Sequence, residues 1–278
     1  MLINITVCDL RQTSGAAMKA AKAKLNMVVV ANPYRLAVRT FELFVGDAKK
    51  AIKSRQYFCV ALSTDLPTEF FKLLACRLKP HAVFWDRIHF FLVDQCCGAA
   101  DLSQNRCRAP AYMPIHQIGV PAENAHIICS VNDNCSRAAW IYEQTIYDVV
   151  KPRKNGIPRF DLIVLKMYED GHIASLFSDT YAFFDTKDLV RVVYFMDKRH
   201  TRITMTNPVL RAAFHVIITV CGKQNKAVLN HILAGSPDRL RYGIDAIEPI
   251  RSRVTWLIDI NAADFALSPQ LPKTQSGV

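Results

Sequence analysis

The chain has 278 residues, of which 51% are hydrophobic and 21% charged, and its formal net charge is +11. That length supports one large α/β domain or two small ones with a sizeable core, and no apolar run approaches the roughly 20 residues that a membrane span needs. The lysines and arginines are scattered and form no zinc-finger or RNA-binding signature, so the charge points to small anions such as phosphorylated metabolites and away from a nucleic-acid groove.

Residues 1–26 contain "SGAAMKAAKAKLN", a small-residue, Lys-bearing stretch that reads as a helix or as a disordered N-terminal extension, with Met27 as the natural beginning. "MVVV" is then a short buried strand. "YRLAVRTFELFVGDAKKAIKS" carries Ala37, Phe41, Phe44, Val45, Ala48 and Ile52 at helical spacing. "YFCVAL" is a second buried strand, and "TEFFKLLACRL", opened by Pro67 and Thr68, a second helix. "IHFFLV" is a strand followed by the loop "DQCCGAADLSQNR", and "AHIIC" is a short strand. "SRAAWIYEQTIYDVV" is a helix with Ala139, Tyr142, Ile146 and Val149 on one face, and "KPRKNGIP" is a basic surface loop. "FDLIVL" is a strand that runs into an Asp170-Gly171-His172 turn, after which "ASLF" reads as a helix start. "DLVRVVYFM", "RITMT" and "AFHVIITV" are strands, "NKAVLNHIL" a helix and "VTWLID" a last strand. Strands that are apolar throughout, separated by amphipathic helices, predict an α/β fold with a mostly parallel sheet and helices on both faces. A single domain over 27–266 and a tail at 267–278 follow.

The nine cysteines are odd in number and mostly sit in apolar runs (Cys59, Cys129, Cys221). There a thiol packs as a small hydrophobe, which reads as a reducing cytoplasm without a disulfide scaffold. Cys96, Cys97 and Cys107 lack a CxxC pair and an obvious partner histidine, so no metal site is expected.

In a doubly wound sheet the binding crevice lies at the carboxyl ends of the strands. The polar loops there are "LSTDLP", "DQCCGAADLSQNR" and "KMYEDGHIASLF". Gly171 permits a backbone shape most residues resist, and a histidine beside it can present one ring nitrogen to the crevice while a carboxylate or carbonyl holds the other. Such an imidazole can take a proton from water at neutral pH. Spacing alone leaves open whether His172 is a base or a residue that merely caps the turn.

At these residues the chain resembles a family. "RFDLIVLKMYEDGHIASLFSDT" is similar to the 6-phosphogluconolactonase signature, roughly LGMGxDGHTASLFPGT. "FCVALSTDLPTEFFKLLA" resembles that family's phosphate loop, LSGGSTP, with its helix, and "WDRIHFFLVDQCC" the stretch ending in Asp-Glu-Arg. "GVPAENAHII", "RITMTNPVLRAAFHVIITVCGKQNKAVLNHILAG" and "VTWLIDINAA" follow in the family's order. The resemblance implies a Rossmann-like domain, hydrolysis of 6-phospho-D-glucono-1,5-lactone in the oxidative pentose phosphate pathway, and no metal or organic cofactor. The partner it implies is a small sugar phosphate or lactone, with no nucleic acid and no membrane; the oligomeric state is left open. Glucosamine-6-phosphate deaminases share the fold but carry Phe-Asn-Glu where this chain has "SLF". The resemblance further implies His172 as general base, oriented by Asp170, and a phosphate site drawn from Ser63, Thr64, Asp94, Asn105, Lys166, Arg202 and Lys226. Arg202 is the best surviving phosphate ligand, and Ser175 a residue that caps or packs.

The departures cluster at the site. Gly-Gly-Ser-Thr becomes Thr64-Asp65-Leu66, one residue shorter, and Asp-Glu-Arg becomes Asp94-Gln95-Cys96. The LGMG glycines become Lys166 and Tyr168, either of which could fill the pocket; Lys166 could instead replace the lost cation. Asn225 stands where the motif has lysine, and a one-residue shift to Lys226 turns the side chain by about 100°. Unless Asp65 turns outward, its repulsion of a phosphate at about 4 Å would cost about 4 kcal/mol at an intermediate dielectric. Two further readings therefore accompany the lactonase: a homologue without turnover that binds a sugar phosphate or regulates, and an enzyme for another sugar phosphate or lactone.

Overall fold

The structure is a computed structural model that describes residues 3–6, 26–78, 82–97, 118–128, 134–151, 153–195, 201–234 and 242–263. The strands in chain order are β1 (Ile3–Thr6), β2 (Asn26–Val30), β3 (Phe58–Leu62), β4 (Ile88–Leu92), β5 (Asp94–Cys97), β6 (Ala125–His126), β7 (Arg153–Lys154), β8 (Ile157–Pro158), β9 (Leu162–Lys166), β10 (Val190–Tyr194), β11 (Thr201–Met205), β12 (His215–Val220) and β13 (Val254–Asp259). The helices are α1 (Pro33–Arg55), α2 (Thr68–Leu78), α3 (Cys135–Val149), α4 (Tyr181–Phe184), α5 (Asn207–Ala212) and α6 (Lys226–Ala234).

The main sheet has the order β1-β2-β13-β12-β9-β3-β4-β6. Its pairs are parallel, except that β1 runs antiparallel to β2 at one edge. Most of "SGAAMKAAKAKLN" lies outside the described residues. Successive residues of each strand feed opposite cores, as a period of two requires. Val60, Leu62, Phe90 and Val164 pack with Phe44 of α1 and Phe70 of α2. Cys59, Ala61, Phe91, Ile163 and Leu165 pack with Tyr142 and Ile146 of α3 and Leu229 of α6. Both faces are dry, which is why these strands read as unbroken apolar runs.

Local chemistry fixes the helix ends. The Asn32 side chain accepts from the Arg35 N–H at 2.9 Å, and Pro33 follows it at the first helical position. Asn134 caps α3 in the same way through the Arg137 N–H. The Tyr142 hydroxyl, from the buried face of α3, bridges the Leu92 N–H and C=O where β4 ends. No helix among the described residues is long and apolar enough to cross a membrane.

Several expectations are corrected. Among its described residues "AHIIC" contributes only the two-residue β6, and "KPRKNGIP" contains the small β7–β8 hairpin. "DQCC" is strand β5, not loop, and it joins β10 and β11 in a separate antiparallel sheet of order β10-β11-β5. Cys97, the last residue of β5, is disulfide-bonded to Cys135, the first residue of α3, against the expectation of packing thiols alone. Cys59 does pack as a buried thiol, and burial raises its pKa. The disulfide closes a separation of 38 residues, for which chain entropy gives about 4 kcal/mol. Cys135→Ser in the oxidised protein is expected to lower the unfolding free energy by about that amount in urea titrations; an unchanged midpoint would show that the bond does not form.

Candidate active site

Adjacent strands β9, β3 and β4 end together, and their exits carry the candidate residues. The chain leaving β3 supplies Ser63, Thr64 and Asp65. Ser63 is buried, and its hydroxyl accepts the Lys166 N–H at 3.1 Å, joining this loop to the end of β9. The chain leaving β4 continues directly into β5, whose first residue is Asp94.

The exit from β9 is a tight turn. Gly171 N–H donates to the Tyr168 carbonyl at 2.9 Å, and Tyr168 N–H to the His172 carbonyl at 3.0 Å. Gly171 takes φ +80°, and a Cβ there would meet Tyr242 Cδ1 at 2.5 Å, so glycine is required on two grounds. "ASLF" does not start a helix. Ala174 takes φ 54°, and Ile173 bridges Met167 and Leu176 instead.

His172 is held on three sides. Its Nδ1 lies 2.5 Å from Asp170 Oδ1, and its backbone N–H donates to the same oxygen at 3.2 Å. Tyr168 stacks on one face at 4.1 Å and an interplanar angle of 5°, and Phe177 covers the other at 4.2 Å. The ring is 16% exposed while Asp170 is 59% exposed. The hydrogen bond from His172 holds the Asp170 carboxyl below its ordinary range, although burial works against this. Nε2 takes no partner among the described residues and is the nitrogen left to meet a reactant.

A second cluster sits beside this turn. The β5–β11 register sets Asp94 opposite Thr204 and Cys96 opposite Arg202. Asp94 is 1% exposed. Its Oδ2 accepts from Ser175 Oγ at 2.6 Å and from Arg202 Nη2 at 2.5 Å, while Arg202 Nε donates to Ser175 Oγ at 2.5 Å. Arg202 Nη1 faces Cys96 Sγ at 3.4 Å. Burial opposes the charge of Arg202, but the adjacent carboxylate more than offsets it and raises the guanidinium pKa. Each guanidinium nitrogen of the expected phosphate ligand therefore has a partner in the protein already. Ser175, expected to cap or pack, bridges the pair, and its N–H donates to Thr204 Oγ1 at 3.1 Å.

Lys166 is half-buried at the end of β9, with its ammonium 4.6 Å from the centre of the Tyr168 ring. Lys226 is half-buried and opens α6, which follows β12, the strand beside β9. Val228 of that helix lies against Gly171. Asn105 lies outside the described residues, as does Cys107. The expectations missed the Tyr168–His172–Phe177 stack, for which the aromatic residues flanking the turn were the available signal. They also missed Gly243, where a Cβ would meet the Leu176 carbonyl oxygen at 2.2 Å and His172 Cα at 2.9 Å. A separate depression lined by Lys154, Asp185, Asn207 and Arg211 holds none of the candidate residues.

A buried acid–arginine framework beside a His–Asp turn, both at the carboxyl ends of a parallel sheet, defines an α/β protein with a site suited to proton transfer on a small molecule. The family described as glucosamine-6-phosphate isomerases/6-phosphogluconolactonase matches residues 31–256, and the chain belongs to it. It is 29% identical over 240 residues to the 6-phosphogluconolactonase of Nostoc sp., covering 86% of this chain and 97% of that one. It is 31% identical over 229 residues to a probable 6-phosphogluconolactonase 1 of Oryza sativa subsp. japonica, covering 77% and 76%. The solved 6-phosphogluconolactonase from Trypanosoma cruzi superposes with a TM-score of 0.71 at 23% identity, covering 88% of this chain and 97% of that one.

Proposed function

We propose that the chain hydrolyses 6-phospho-D-glucono-1,5-lactone to 6-phosphogluconate in the oxidative pentose phosphate pathway. The observation that carries this reading is the His172 ring, with Nδ1 on Asp170 at 2.5 Å and Nε2 left for a reactant. It sits in a turn whose "DGHIASLF" resembles the lactonase signature, and the curated relatives bear the lactonase name.

His172 Nε2 takes a proton from a water as its oxygen bonds to the lactone carbonyl carbon. The carbonyl π electrons move to oxygen, giving a tetrahedral oxyanion. Asp170 holds Nδ1–H and stabilises the imidazolium that forms. Collapse of the oxyanion breaks the bond from the carbonyl carbon to the ring oxygen, and the proton on Nε2 passes to that oxygen as it leaves. The product carries a carboxylic acid, which ionises, and a free hydroxyl. Because Asp170 is mostly exposed, its contribution is orientation more than a strong field.

The β3 exit with Ser63 and Thr64, together with Lys166 and Lys226, forms the proposed phosphate grip. Asn105, in the segment of sequence that follows β5, is proposed to join it. Asp94 and Arg202 are proposed to hold Ser175 and the following turn in register, so that Arg202 serves the site through this framework. The proposed compartment is the cytoplasm, where the Cys97–Cys135 bond would be a transient, oxidation-dependent one.

6-Phosphogluconate at about 100 times its Kd should stabilise the fold by about 2.7 kcal/mol, read as a raised melting temperature, whereas unphosphorylated gluconate at the same concentration should not. Equal shifts, or none, count against the phosphate grip. Release of ammonia from glucosamine 6-phosphate without lactone opening would move the chain to the deaminase branch.

A further inference from the structure

Tyr168 stands where the lactonase signature has a glycine, and its side chain meets His172, Asp65 and Lys166. Its ring lies flat on His172 at 4.1 Å. Its hydroxyl crosses to the β3 exit and donates to Asp65 Oδ2 at 2.9 Å, a contact spanning 103 residues of sequence. Lys166 stands over the ring at 4.6 Å. The other Asp65 oxygen accepts from Thr64 Oγ1 at 3.4 Å, so both oxygens of that carboxylate are engaged. Burial, followed by the fields of Asp94 and Asp65, raises the phenol pKa, so the group remains a donor.

These contacts answer two difficulties of the sequence. An acidic residue in a loop meant for a phosphate is a repulsive element, and its charge has to be drawn aside. A histidine on a turn that is otherwise backbone-bonded has to be kept in the plane that meets Asp170. One side chain does both. We propose that Tyr168 is a positioning residue with two separable actions: its ring fixes the His172 imidazole against Asp170, and its hydroxyl tethers Asp65 away from the phosphate of the substrate. The second action rests on the proposed phosphate grip; the first does not.

The two actions separate by substitution in the full chain. Tyr168→Phe keeps the stack and releases Asp65, so KM for the phosphorylated lactone rises about tenfold while kcat stays within about twofold. Adding Asp65→Asn to Tyr168→Phe returns KM to within about twofold of wild type, a rescue that a general loss of packing cannot give. Tyr168→Leu removes the stack as well, and kcat falls about tenfold or more because the base is no longer held in line; Asp65→Asn does not restore it. An unchanged KM in Tyr168→Phe, or failure of the rescue, overturns the tether. A kcat for Tyr168→Leu equal to that of Tyr168→Phe overturns the positioning.

A wild-type chain that does not open the lactone refutes the proposed function instead. Titration with inorganic phosphate then reads the tether directly. Weaker binding by Tyr168→Phe, recovered with Asp65→Asn, supports it, and equal affinity across these proteins overturns it.

Discussion

Arg202→Met is expected to lower the free energy of unfolding by about 3–5 kcal/mol, the cost of leaving a buried carboxylate without its partner. The carboxylate is Asp94, 1% exposed, which would keep only Ser175 Oγ. An exposed ion pair would lose at most about 1 kcal/mol, and burial decides between the two. Arg202→Met with Asp94→Leu should recover most of the loss, because two apolar side chains replace a pair whose desolvation cost nearly cancels its attraction. Urea titration of wild type and the two variants checks this. A loss under about 1 kcal/mol for Arg202→Met would mean that Asp94 is reached by water.

His172→Ala is expected to bring lactone opening down to the spontaneous rate, a general base contributing about 10²–10⁴-fold. The substitution also empties the space between Tyr168 and Phe177, so part of the loss could come from packing alone. Two controls separate the effects. Added imidazole should restore some turnover in His172→Ala by occupying that space. Asp170→Asn should retain the fold and lose less rate, since the carboxylate is proposed to act through the ring it holds. Full activity in His172→Ala would remove His172 from the reaction.

The parts of the fold that were legible in the sequence are those dictated by local pattern. Phe58–Leu62 and Leu162–Lys166 are buried on both faces by helices on either side, so an unbroken apolar run announces them. Helix α1 shows its buried face in Leu36, Ala37, Phe41, Phe44 and Ala48. The small antiparallel sheet was not legible as a unit. Its Cys96–Arg202 register joins positions more than a hundred residues apart, and β10 is only partly buried, so its periodicity is weak. "ASLF" has the composition of a helix start, but Ala174 takes a left-handed φ because Ile173 and Leu176 bridge across the turn.

The site divides along the same line. Asp170 and His172 are two residues apart, and Gly171 between them marks the turn, so spacing alone brought them together. The Asp65–Tyr168 and Ser175–Asp94 bonds depend on β3, β4 and β9 being sheet neighbours. No local motif records that adjacency. Read as a string, Asp65 and the missing arginine looked like losses. In three dimensions Asp65 is bonded to Tyr168, and Asp94 is paired with Arg202 from β11.

The central claim is that a histidine-based lactonase operates at the end of β9. Its most direct test follows freshly generated 6-phospho-D-glucono-1,5-lactone by phosphorus NMR, with wild type, with His172→Ala and in buffer alone. Wild type should open the lactone faster than buffer, and His172→Ala should match buffer. Identical decay in all three samples would contradict the catalytic account and leave a protein that keeps the family's fold without its chemistry.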